Sequence, residues 1–255
     1  MRLILPGLLC ALACTDSLAG GTCSATANKP VALLELYTSE GCSSCPPADR
    51  WLSLLGANAK LRANVVPLAF HVPYWDYIGW KDRFASPQFE QRQRQAAQQR
   101  RSPTVYTPQV LFNGVNLGDW YRGGLDRALA QLAATAPRAM LTLSTNREAG
   151  DLVVSLSGQA PARSKLWLAR YENGLSSSVK TGENAGVLLR HDQVVRELIA
   201  LGNVGTDGKI SVERRLPQPA SWRTGQGGIA AFAEDPDKGL VLQAVLLPAC
   251  ESAGP

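Results

Sequence analysis

The sequence predicts an α/β domain followed by a β-rich, sandwich-like domain. Three observations carry that expectation. Two apolar runs of strand length each lead into helix-like sequence, an Asn-Gly pair marks a hairpin, and past Pro137 short stretches alternate apolar and polar residues.

Val31 to Tyr37, VALLELY, is nearly continuous in apolar character, as a strand buried on both faces should be, and its one charge is Glu35. Pro46-Pro47 then suits a first helical turn, where missing N–H groups cost nothing, and Trp51, Leu52, Leu54 and Leu55 fall at helical spacing over Ala48 to Leu61. Val65 to Val72 is the second strand. An aromatic loop follows, then a Gln- and Arg-rich helix from Pro87 to Arg101. Gln109 to Phe112 and Val115 to Leu117 flank Asn113-Gly114, which supplies the positive φ angles of a tight turn, and Leu125 to Ala134 closes the segment as a helix. The order β, α, β, α, β, β, α makes the first two strands parallel by crossover and adds antiparallel ones through the hairpin.

Past Pro137 come Met140 to Thr145, Leu152 to Ser157, Lys165 to Tyr171, Val187 to Arg190, Val194 to Ala200, Ile210 to Arg214, Gly228 to Ala233 and Leu240 to Leu247, punctuated by Gly, Pro, Asn and Asp. The expected organisation is a leader over 1–19, an α/β domain over 28–137 and a β-rich domain over 138–250.

Met1 to Ala19 reads as an export signal: Arg2, an apolar stretch from Leu3 to Ala13, and Ser17-Leu18-Ala19 as a small-residue cleavage site. The expected location is periplasmic or secreted. Cleavage would remove Cys10 and Cys14, leaving four of the six cysteines, Cys23, Cys42, Cys45 and Cys250, an even number that suits an oxidising compartment. Acylation of Cys14 is the alternative, although Ala11-Leu12-Ala13 lacks an apolar residue such as leucine three positions upstream. Losing Arg2 and Asp16 leaves the net charge at +5, too diffuse to imply nucleic acid. No later run reaches the roughly 18 apolar residues of a membrane-spanning helix.

The stretch LYTSEGCSSCPPADRWL carries the chemistry. A thiol attacks a disulfide only as thiolate, and a helix N-terminus lowers a cysteine pKa through unpaired N–H groups and the positive end of its dipole. Cys42 sits where the helix begins, and Cys45, one turn on, can reach back to resolve a mixed disulfide. That makes Cys42 the nucleophile and Cys45 the resolving thiol. Half of a four-cysteine zinc site looks the same, but Cys23, Cys250, His71 and His191 are scattered and supply no second ligand pair. A purely structural disulfide is the blander alternative. Neither metal nor cofactor is expected. Cys42 also follows the end of the first parallel strand and His71 ends the second, the edge where ligands of open α/β sheets gather.

The segments LELYTSEGCSSCPPAD, LAFHVPYWDYIGWKD and YTPQVLFNG resemble the exported bacterial family filed as domain of unknown function 1223, treated as thioredoxin-like; HDQVVRELIALG matches more weakly. The resemblance implies a thioredoxin-like N-terminal domain, a redox dithiol at Cys42 and Cys45, and Pro108 as a cis proline after Thr107. It implies no particular substrate. Pro73 stands where the family's H-V-x-Y-W-D stretch suggests an acid. Within the thioredoxin resemblance Glu35 falls near a buried proton acceptor, although an extra residue before Cys42 loosens the match; the competing expectation is a glutamate paired with a neighbouring Tyr or Lys.

His71, Trp75, Asp76 and Tyr77, with Thr107, are expected to line a wall for a protein or small thiol or disulfide substrate, with Tyr74 and Trp80 in the same loop; the alternative is a cluster covering the sheet edge. Arg92, Arg94, Arg100 and Arg101 read as a solvated helix face. His191 and Asp192 read as structural, because adjacent strand residues point to opposite faces. Cys23 and Cys250 lie near the expected mature termini and are expected to pair as a structural disulfide. The function so read is an exported thiol–disulfide oxidoreductase with an unknown redox partner. The rivals are a thioredoxin-fold module binding copper(I) through Cys42, Cys45 and His71, and a module binding a protein partner.

Overall fold

The computed structural model describes residues 22–102, 104–219, 222 and 225–249. The expected leader and Cys250 lie outside them. Mixed α/β and sheet-rich, the chain carries fourteen strands and four α-helices among the described residues.

An unforeseen strand, β1 (Cys23–Ala27), precedes β2 (Ala32–Thr38), every residue of which is buried. The expected long helix is two: α1 (Pro46–Ala57) and the single turn α2 (Ala59–Arg62). Asn58 makes the break, leaving helical φ/ψ so that its side-chain oxygen can accept from Lys60 N and Leu61 N. Next come β3 (Val65–His71), a 3-10 segment over Pro73–Ile78, and α3 (Pro87–Gln99), whose Ser86 cap accepts from Gln88 N at 3.3 Å. The hairpin β4 (Gln109–Phe112) and β5 (Val115–Asn116) turns on Asn113 and Gly114, both at positive φ. A side chain on Gly114 would also strike the Gly239 carbonyl, 2.3 Å from its Cβ, so glycine is required twice over. After α4 (Gly124–Ala133) run β6 (Met140–Glu148), β7 (Asp151–Gln159), β8 (Lys165–Glu172), β9 (Leu175–Ser178), β10 (Leu188–His191), β11 (Val194–Asn203), β12 (Lys209–Leu216), β13 (Gly227–Glu234) and β14 (Val241–Pro248).

The expected boundary near Pro137 divides the sequence but not the sheet. One eight-stranded sheet runs β14-β13-β8-β11-β3-β2-β4-β5. β2 and β3 are parallel, as the crossover demands, and the second half of the chain joins where β11 runs parallel to β3 with Val194 opposite Ala69. Core residues are correspondingly pooled: Leu33, Tyr37 and Phe70 pack with Tyr171, Val195 and Phe232 on one face, covered by Phe89 of α3. The other face is covered in two parts. Over β2 to β4, Leu34, Leu36 and Ala69 receive Leu52 and Leu55 of α1 and Leu125 of α4. Over β8, β13 and β14, Leu168, Ala231 and Val245 receive Leu141, Leu143 and Leu156 of a second sheet, β1-β6-β7-β12. That second half is a sandwich sharing one of its sheets with the first. The β9–β10 hairpin stands apart from both sheets and reaches α1.

Candidate functional site

Beyond Thr38 the chain leaves the edge of the parallel strands and turns into α1. Cys42 N donates to Ser39 O at 3.1 Å, Cys45 N donates to Cys42 O at 3.2 Å, and Cys45 caps the helix. Pro46 and Pro47 take positions whose N–H groups would be unpaired, while Ala48 N and Asp49 N donate to Cys45 O at 2.9 and 3.1 Å. Cys42 and Cys45 are joined by a disulfide with their Cα atoms 5.4 Å apart, and both are buried.

The far half of the chain reaches this turn. In the loop between β9 and β10, Asn184 Nδ2 donates to Glu40 O at 2.8 Å and Cys42 O at 3.1 Å, and Glu183 Oε2 accepts from Ser43 N at 3.0 Å. Thr181 Oγ1 donates to Gly79 O, fastening the same loop to the aromatic segment. Hydrogen bonds from Ser43 hold the Glu183 carboxyl below its usual range.

Beside the turn lies the Thr107-Pro108 bond, which is cis. Gln109 pairs with Tyr37 at the end of β2, so this bend abuts the loop bearing Cys42. Trp75 Nε1 donates to Thr107 Oγ1 at 2.6 Å, and a Cβ at Gly41 would meet Trp75 Cβ at 3.1 Å, so Gly41, Trp75 and Thr107 form one surface. Tyr77 is 82% exposed. Asp76 is half-buried, its Oδ1 accepting from Asp82 N at 3.1 Å, and His71 is fully buried beneath the surface.

Glu35 faces the other way. Alternation along β2 turns it to the α3 side of the sheet, opposite Leu34 and Leu36, which meet α1. It accepts from Arg92 Nε at 2.6 Å and from Tyr37 OH at 3.1 Å, while Arg92 Nη1 reaches Glu234 at 2.9 Å. Arg92 therefore corrects the expected solvated helix face: its guanidinium is a largely buried bridge, stacked 4.9 Å from the Phe232 ring centroid, and although burial opposes the charge its partners, Glu35 first among them, together make it keep its proton more firmly than usual.

Behind the disulfide, on the α1 side, is a cluster the sequence reading missed. His71 Nδ1 lies 2.7 Å from Asp82 Oδ2, His191 Nε2 lies 3.2 Å from Glu40 Oε1, and His191 Nδ1 lies 3.7 Å from Asp49 Oδ2. The two imidazoles meet edge to face at 5.0 Å, and all five groups are buried. Burial alone would push His71 down, but the Asp82 carboxylate outweighs it and holds His71 above the usual histidine range. Burial works to raise Asp82 and Glu40, but His71 with the Glu40 and Phe84 N–H groups holds Asp82 low, and His191 with Ser177 and Trp80 holds Glu40 low. For Asp49 burial prevails, and its carboxyl is pushed up. His191, expected to be structural, is buried between Glu40 and Asp49, and the opposite-face argument holds, since Asp192 turns away to accept from Gly174 N at 2.7 Å. The signal available was a histidine as sparse as the chain's second one, in a stretch already resembling the family.

Among the described residues no group of three or more His, Cys, Asp or Glu has the arrangement to hold a metal ion, and no helix is long and apolar enough to cross a membrane. Cys23 is engaged in a disulfide; Cys250, its expected partner, lies outside the described residues.

Fold and site together define a sheet-rich α/β protein with a C-x-x-C disulfide at the head of a helix and buried ionisable groups behind it. The chain belongs to the family described as protein of unknown function (DUF1223), whose model matches residues 33–234. It is similar to protein AGR_C_4864 of Agrobacterium tumefaciens, with 25% identity and a TM-score of 0.68, covering 90% of this chain and 99% of that one. HBP35 of Porphyromonas gingivalis shares the fold at 14% identity, with a TM-score of 0.67 and coverage of 90% and 79%. No curated protein matches the sequence.

Proposed function

We propose that this protein is an exported thiol–disulfide oxidoreductase whose first half is thioredoxin-like, with Cys42 as the exchanging sulfur and Cys45 as the resolving one. The observation carrying this reading is the place of the disulfide: at the head of α1, at the carboxyl edge of parallel β2 and β3, beside the cis Thr107-Pro108 bond. Trp75, Tyr77 and Thr107 offer a bound thiol or disulfide substrate aromatic area and a polar handle next to Gly41. Both cysteines are buried, so exchange requires this turn to open, and the bonds from Asn184 to Glu40 O and Cys42 O are among those that hold it. Pairing of Cys23 with Cys250 would suit an oxidising compartment.

The test is the reduction potential of the Cys42–Cys45 pair in the mature protein, set by equilibration against glutathione buffers with free thiols trapped. The expected result is a reversible two-electron transition within the span of about −270 to −120 mV covered by C-x-x-C oxidoreductases. Cys42→Ser should abolish exchange and Cys45→Ser should trap mixed disulfides. A pair that stays oxidised in every glutathione buffer would make the disulfide a structural staple.

A further inference from the structure

The buried cluster behind the disulfide is expensive for a fold to keep. His71 Nε2 has no hydrogen-bond partner among the described residues, and Glu40 Oε1, both His191 nitrogens and the Thr38 and Ser177 hydroxyls lie near polar neighbours without a well-aligned bond. Each buried polar group left so costs about 1–3 kcal/mol. His191 and Glu40 approach within 3.2 Å without the alignment of a hydrogen bond, and the His191 to Asp49 separation of 3.7 Å is too long for one.

The cluster's position ties it to Cys45. Asp49 lies one helical turn after Cys45 on the same buried face of α1, its N–H bonded to the Cys45 carbonyl at 3.1 Å. Helical side chains lean toward the helix N-terminus, which tilts the Asp49 carboxyl back toward Cys45. His191, from β10, faces Asp49 on one side and Glu40 on the other, and Glu40 Oε2 is held by Trp80 Nε1 at 2.8 Å. His71 from β3 and Asp82 from the aromatic loop also face Asp49 across the cluster, with the Thr38 hydroxyl of β2 beside it, and Arg50 next to it on α1 is exposed.

We propose that Asp49, backed by His191, is the proton acceptor for the Cys45 thiol, so that the second half of the chain completes the redox centre of the first. This rests on the oxidoreductase reading above. In the resolving step the Cys45 S–H gives its proton to the Asp49 carboxylate, and Cys45 Sγ bonds to Cys42 Sγ. The bond between Cys42 Sγ and the substrate sulfur breaks, and the substrate leaves as a thiolate that is protonated from solvent. Over the full cycle the protein dithiol is oxidised to the disulfide and a substrate disulfide is reduced by two electrons to two thiols. Run backwards, the same step returns the proton from Asp49 to Cys45 as the protein disulfide is opened.

Burial already holds the Asp49 carboxyl above its usual range, moving it toward the range in which a carboxylate is an effective base. His191 is positioned to stabilise whichever partner carries the charge, which makes it a positioning residue.

The test uses the reduced full-length mature protein and an aromatic disulfide that releases a coloured thiol, followed by stopped flow across pH. Attack by Cys42 releases one equivalent, and resolution by Cys45 releases the second. Asp49→Asn, and separately His191→Asn, should leave the first phase intact and slow the second at least about tenfold near pH 7, the low end of what positioned acid–base groups contribute. The defect should vanish above about pH 9, where a thiol of ordinary pKa ionises without help. A second phase unchanged at every pH, or slowed equally at every pH in variants that still unfold cooperatively, would overturn the proposal. Absence of the first phase in the wild-type protein would instead overturn the oxidoreductase reading itself.

Discussion

Two groups of buried charges lie on opposite faces of the same sheet, and they are built to different ends. On the α3 face, Glu35, Arg92 and Glu234 form a closed set: one bridging guanidinium, two carboxylates and the Tyr37 hydroxyl, with bonds of 2.6 to 3.1 Å. On the α1 face, Glu40, Asp49, His71, Asp82 and His191 form a looser set: Asp82 is tightly held by His71 and by Glu40 N, at 2.7 and 2.9 Å, whereas His191 stands 3.2 Å from Glu40 and 3.7 Å from Asp49. The closed set joins α3 to both halves of the sheet, through Glu35 of β2 and Glu234 of β13. The looser set sits behind the disulfide. The two sets thus differ in how completely their charges are paired.

The largest expected effect would break the closed set. Arg92→Met strands two buried carboxylates and should cost about 3–5 kcal/mol in denaturant unfolding, whereas replacing Glu35, Arg92 and Glu234 together by apolar residues of similar volume should recover most of it. A loss below ~1 kcal/mol for the single variant would mean the set is not structural.

Next comes the loop that fastens the Cys42 turn. Asn184→Ala removes the donor for two buried carbonyls and should cost about 1–3 kcal/mol. In the reduced protein it should also speed alkylation of Cys42. Unchanged alkylation would show that this loop does not limit access.

The smallest effects separate the sets by pH. His71 has a raised pKa, so its stabilisation is present below the ordinary value of 6.5 and fades as pH rises through the folded one. Asp82 is held low, so its contribution is present above 3.8 and fades as pH falls through its folded value. Between those limits His71→Gln should be at its most destabilising in urea melts, with the gap from wild type narrowing toward alkaline pH. Asp49 has the opposite sign: its raised pKa makes ionisation a growing penalty as pH climbs past 3.8. Asp49→Asn should therefore be at least as stable as wild type at neutral pH. A clear loss of stability there would assign Asp49 to the fold rather than to the proton.

Local pattern determined the elements. The apolar runs at Val31 and Val65 are strands because a sheet covered on both faces requires unbroken apolar sequence, Asn113-Gly114 is a hairpin because few other pairs accept two positive φ angles, and Cys42 and Cys45 lie close enough in sequence to meet whatever the rest of the chain does. Only the tertiary structure decided what those elements are joined to. Val194 against Ala69 fuses two apparent domains into one sheet, Arg92 turns inward to carboxylates 57 and 142 residues away, and the β9–β10 hairpin brings Asn184 to the Cys42 carbonyl and His191 to Glu40. Such contacts leave no periodic trace, because a partner more than a hundred residues distant imposes no spacing on its neighbours. A lone buried histidine looks the same in sequence whether it fills a core or serves a thiol.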